Sequence, residues 1–95
     1  MKKYEIVFII KADLEESVIN ETVKFFEKVL TDMKSNIISS KEMGQKKLAY
    51  PIKGSVRGYY YLFNVEATPE AIKEFDRKAS IDEKILKRLI IKEDE

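Results

Sequence analysis

The stretch Gly44 to Phe63, GQKKLAYPIKGSVRGYYYLF, restricts the possible folds more than any other part of the chain. Tyr50 precedes Pro51, so its backbone is held towards extended geometry. Pro51 has no N–H for a ladder, so its strand lies at a sheet edge or ends there. Gly54 and Gly58 bracket a turn, and Tyr59 to Val65 reads as the returning strand. A two-stranded hairpin is the expected centre of the molecule.

The flanking segments supply the remaining elements. Lys3 to Lys11 places Tyr4, Ile6, Phe8 and Ile10 on one parity and Val7 and Ile9 on the other. With both faces substantially apolar, it reads as a central strand. Asp13 followed by Glu16 has the spacing of a capping box, with aspartate at the cap of a helix. Leu14, Val18, Thr22, Phe25, Phe26, Val29, Leu30 and Met33 recur at mostly three- and four-residue intervals, predicting one apolar helical face. That helix is expected to stop near Lys34 to Asn36, with Asn36 in the left-handed capping position. Ile37-Ile38 begins a strand that runs irregularly to Ile52. Thr68-Pro69-Glu70 is a second helix start, with threonine at the cap and proline in the first turn. Ile72, Phe75 and Ala79 form its apolar stripe, and Ile85 to Lys92 forms the last strand. Glu93-Asp94-Glu95 is a short acidic tail.

The order strand, helix, strand, strand, helix, strand predicts an α+β fold, the ferredoxin-like split βαβ. Its four-stranded antiparallel sheet carries two helices on one face. Residues 1–95 are expected to form a single domain. The fold hosts enzymes, small-molecule sensors and RNA binders alike, so function has to come from particular residues.

Composition excludes several chemistries. The chain has neither cysteine nor histidine, which removes thiolate nucleophiles, thiolate metal sites and the commonest general base. No apolar run approaches membrane-spanning length, and the start MKKYEIVFII lacks a signal-peptide cleavage signature. A cytoplasmic protein with no membrane partner is the expectation. The acidic pairs Glu15-Glu16 and Asp82-Glu83 fall at element ends, where carboxylates are usually solvated or capping. No catalytic residue, cofactor or metal is expected. The alternative of a small ligand-sensing or acylphosphatase-like domain meets an immediate difficulty. That enzyme of the same fold uses an arginine in the loop after the first strand, and here the loop is Lys11-Ala12-Asp13.

Net charge is only +1, but its distribution is uneven. Lys41, Lys46, Lys47, Lys53 and Arg57 crowd the hairpin against one acid, Glu42. Arg57-Gly58-Tyr59-Tyr60-Tyr61-Leu62 partly fits the octamer of RNA-recognition motifs. It fails where Tyr60 replaces a small residue and Asn64 an aromatic. Alternation assigns Tyr59, Tyr61, Phe63 and Val65 to the core instead. Tyr60 and Leu62, with Val7 and Ile9 across the sheet, then form an exposed apolar patch on the open face. Such a patch marks a protein partner more often than base readout. Basic residues beside it can neutralise phosphates without reading sequence.

The whole chain resembles the sixth-protein family of the bacterial small ribosomal subunit. The most specific parts of the resemblance are Lys2-Lys3-Tyr4-Glu5, Gly44-Gln45-Lys46-Lys47-Leu48-Ala49-Tyr50-Pro51-Ile52, Gly58-Tyr59 and Lys87-Arg88-Leu89-Ile90-Ile91-Lys92. It implies a non-enzymatic ribosomal protein with the split βαβ fold. Such a protein binds the central domain of small-subunit ribosomal RNA together with ribosomal protein eighteen. By matching position it nominates Lys2, Lys46, Lys47 and Lys87 for phosphate contact. Lys53 and Arg57 join them as continuations of the basic hairpin. Val7, Ile9, Tyr60 and Leu62 are the expected protein-partner face.

Overall fold

The computed structural model describes residues 1–93. Its elements run β1 (Lys2–Lys11), α1 (Glu16–Asp32), β2 (Asn36–Ile52), β3 (Ser55–Ala67), α2 (Pro69–Ile81) and β4 (Ile85–Lys92). They form one four-stranded sheet in the order β2-β3-β1-β4, and all three neighbouring pairs are antiparallel. This is the expected ferredoxin-like split βαβ. Strand β1, apolar on both parities, is central, whereas the Pro51 strand β2 is an edge, where the missing N–H costs no ladder bond. Asp94 and Glu95 of the expected acidic tail lie outside the described residues. Among the described residues, no helix is long and apolar enough to cross a membrane.

Phe8 stands at the centre of the main core. Its ring meets Phe26 of α1 at 6.1 Å between centroids, Tyr61 and Phe63 of β3 at 5.6 and 5.0 Å, and Phe75 of α2 at 6.0 Å. Phe26 and Phe75 also meet each other at 5.2 Å. Aromatic pairs in stacked, tilted and edge arrangements add about 0.5–1.5 kcal/mol each beyond the area they bury. One face of the sheet thus carries both helices, with Ile6, Ile10, Phe63 and Val65 fully buried beneath them. Arg88 Nε donates to Asp76 Oδ1 at 2.6 Å, tying β4 to α2 on that same side.

Helix α1 departs from expectation at both ends and on its face. Glu15 occupies the N-cap and makes no side-chain capping bond, so the Asp13/Glu16 capping box does not form. Ala12 to Leu14 are spent turning out of β1 with Leu14 packed on the core, which delays the first helical turn. Ile19, Val23, Phe26 and Leu30 point inward, while Phe25 stays 47% exposed and Met33 is exposed. Phe25 sits instead edge-on to Phe26, with Lys78 Nζ 5.5 Å from its ring centroid.

At the C-terminus the left-handed residue is Lys34, with φ 63°, and not Asn36, which already belongs to β2. Ser35 N–H donates to the Leu30 carbonyl at 3.0 Å and Lys34 N–H to that of Thr31 at 2.9 Å. These two bonds make a Schellman closure. Helix α2 starts as expected, with Thr68 Oγ1 accepting from the Ala71 N–H at 3.2 Å and Pro69 in the first turn.

The β2–β3 turn is tighter than the sequence reading. Lys53 and Gly54, at φ 49° and 79°, are the two central residues between the paired Ile52 and Ser55. Two consecutive positive φ values identify the primed turn favoured by two-residue hairpins. Gly58 is therefore not part of the turn but lies inside β3 and is buried. A Cβ built there would come within 2.3 Å of Ile9 Cγ2, a buried, β-branched methyl with little room to move.

Two outcomes follow for stability. Gly58→Ala is expected to destabilise the fold by about 1–3 kcal/mol, as overpacking does, measured by chemical denaturation. Burial, followed by the charge of Glu42 opposite in the ladder, holds the Tyr61 phenol above its ordinary value of 10.0. The unfolded chain then releases this proton more readily, so stability is kept below pH 10 and declines above it. Replacing Tyr61 with Phe is expected to flatten that alkaline decline, and an unchanged slope would assign it to other groups.

Candidate partner and RNA interface on the open sheet face

The face of the sheet opposite the helices carries two cross-strand rows. Leu62, Val7 and Leu89 lie side by side on β3, β1 and β4, and Tyr60, Ile9 and Lys87 form the next row. These rows arise from the alternation that sends Tyr61, Phe63 and Phe8 to the other side. Val7, Tyr60 and Leu62 are half-buried and Leu89 is 54% exposed.

Ile9 corrects the expectation of an exposed four-residue patch. It is only 6% exposed, in a second, smaller core with Leu48 and Leu86, flanked by Ile52 and Tyr60. The cause lies in the hairpin. Between the pairs Lys47–Arg57 and Ile52–Ser55, four residues of β2 (Leu48 to Pro51) lie opposite one residue of β3, Val56. That surplus bends the strand, as a bulge does, and brings Leu48 onto Ile9 and Leu86. Gly58 makes the approach possible by presenting no side chain to Ile9.

The bent strand walls a groove of about 240 Å³ whose lining includes Val7, Ile9, Leu48, Tyr60, Lys87 and Leu89. Tyr50, 60% exposed, stands at its rim. Lys46 Nζ lies over the Tyr60 ring, 5.5 Å from its centroid, in a cation–π arrangement. The exposed Lys87 lines the groove from the opposite side, whereas the neighbouring Arg88 turns its guanidinium to Asp76 behind the sheet. The groove is thus apolar at its base and cationic at its borders.

The six nominated basic residues do not share one surface. Lys46 pairs with Gly58 and shares its open face, and Lys87 lies in the Tyr60 row. Lys47 and Arg57, paired with each other, take the opposite parity and project from the other side of the hairpin. Lys2 sits opposite Ala67 at the far end of the sheet. Lys53 Nζ donates to the Ile85 carbonyl oxygen at 3.1 Å, so its amine is engaged within the protein.

Leu48, Ile52, Leu86 and Leu89 were missed as members of this surface. For Leu89 the signal was available in the alternation of β4. For Leu48 it was hidden, because simple alternation does not survive the surplus residues around Pro51. Among the described residues no three His, Cys, Asp or Glu side chains are placed to hold a metal.

Comparison with known proteins agrees with this architecture. The crystal structure of 30S ribosomal protein S6 from Thermotoga maritima is similar, with a TM-score of 0.91 at 22% identity over 97% of this chain and 87% of that one. The Arabidopsis thaliana protein At3g17210 is similar at a TM-score of 0.57 and 16% identity, over 100% of this chain and 95% of the other. At these identities both likenesses speak for the fold. The family model described as ribosomal protein S6 matches residues 3–92, nearly the whole chain. That match displaces the ligand-sensing and acylphosphatase-like alternative. The chain belongs to the ribosomal protein S6 family, and is a structural protein of the small ribosomal subunit in the cytoplasm, not an enzyme.

Proposed function

We propose that the chain binds the central domain of small-subunit ribosomal RNA together with ribosomal protein eighteen, through the open face of its sheet. The observation that carries this reading is one apolar groove bordered by two lysines, Lys46 and Lys87, on the face that the helices leave bare. An apolar depression suits a side chain of a protein neighbour, and the flanking ammonium groups suit phosphates. The protein neighbour covers Val7, Tyr60, Leu62 and Leu89, while Ile9 serves as the floor beneath it.

An RNA backbone along this face reaches Lys46 and Lys87 together. Lys47 and Arg57 meet it only around the hairpin edge, and Lys2 only from the far end of the sheet. Contacts of this kind position the RNA and read little sequence, so affinity depends strongly on salt.

The test is a salt titration of binding to a central-domain RNA fragment with protein eighteen present. Lys46→Glu and Lys87→Glu are each expected to lower the slope of log affinity against log salt by about 1 and to weaken binding across RNA sequences uniformly. Lys2→Glu serves as the comparison and is expected to change the slope less. Equal loss from all three variants would replace a localised contact with general attraction. Binding by the isolated chain at full strength, insensitive to salt, would overturn the reading.

A further inference from the structure

We propose that Lys53 is a positioning residue, which holds the Leu48–Ile52 wall of the groove in place and does not itself contact phosphate. The inference concerns the surface assigned above but rests on contacts within the chain. The turn at Lys53-Gly54 lies at the tip of β2–β3, on one side of the sheet, whereas Ile85 opens β4 at the other edge. A hydrogen bond of 3.1 Å from Lys53 Nζ to the Ile85 carbonyl therefore ties the hairpin tip to β4 past the end of β1. Its acceptor sits where the β1–β4 ladder is irregular, at the register shift between Ile9 and Ile10.

Two features make the lysine suited to this role. Its φ of 49° sets the chain in the left-handed region, which strains a residue carrying a side chain. Asparagine or glycine would occupy that place with less strain in a primed turn. Neither has an amine that reaches the Ile85 carbonyl. Second, the bond joins the chain neighbours of Ile52 and Leu86, which belong to or pack on the small core of Ile9, Leu48 and Leu86. The bond adds one polar tie to this small core, and its loss lets the Leu48–Ile52 wall open locally.

Amide hydrogen exchange on the free protein tests this independently of any RNA. Lys53→Met keeps the stem and removes the donor, and is expected to speed exchange across residues 48–56 several-fold while α1 and α2 stay unchanged. Lys53→Asn offers the turn a better residue and also lacks the amine. It is expected to show the same acceleration, and Lys53→Arg, which keeps a donor, to restore protection. Wild-type protection in Lys53→Asn would mean that the turn alone positions the wall, and would overturn the proposal.

The salt titration supplies the second arm. Lys53→Met is expected to weaken binding while leaving the slope unchanged. A slope reduced by about 1 would make Lys53 a phosphate contact and overturn the proposal. Failure of the wider RNA reading would appear as absent binding by the wild type, and leaves the exchange comparison intact.

Discussion

Phe8 is the interaction on which the structure depends. One ring on the central strand touches aromatic rings from α1, β3 and α2, so four of the six elements meet through it. Its parity fixes which face of the sheet receives the helices, because a strand cannot shift by one residue without exchanging its faces. Once that face is filled, the residues between Phe8 and its neighbours are committed to the opposite side. The open face is thus a consequence of core packing, and the surface proposed for partners is set by where the aromatic residues alternate.

The open face is then modified by the hairpin. Left flat, it would carry Val7, Ile9, Tyr60 and Leu62 as a shallow apolar patch. Surplus residues around Pro51 bend β2, and Leu48 comes to rest on Ile9 and Leu86. The result is a second small core and a groove beside it. Gly58 permits this, since any side chain there would occupy the space of the Ile9 methyl. The basic residues of the hairpin are divided by the same geometry: Lys46 faces the groove, Lys47 and Arg57 face away, and Lys53 is turned inward to a backbone carbonyl.

Much of the architecture was legible in the sequence because its signals are local. Proline confined β2 to an edge or an end, alternation placed Tyr61 and Phe63 in the core, and Thr68-Pro69 opened α2. The departures have tertiary causes. Leu14 packing outcompeted the Asp13 capping box, and the inward face of α1 was chosen by contact with Phe8 and Phe75, which left Phe25 outside. Lys34 adopts a left-handed conformation for which Asn36 looked better suited, because the Schellman bonds fix the closing position by helix length. The groove wall was not legible because it depends on a long-range approach of Leu48 to Leu86 that no periodicity announces.

Packing around Phe8 leaves the open face bare, and the groove there is the proposed focus for partners. Mapping methyl chemical-shift changes on assembly with central-domain RNA and protein eighteen tests it most directly. Val7, Leu48, Leu62 and Leu89 are expected to shift strongly, while Val23, Val29 and Leu30 on α1 stay close to their free values. Strong shifts on the helices with a silent open face would contradict it.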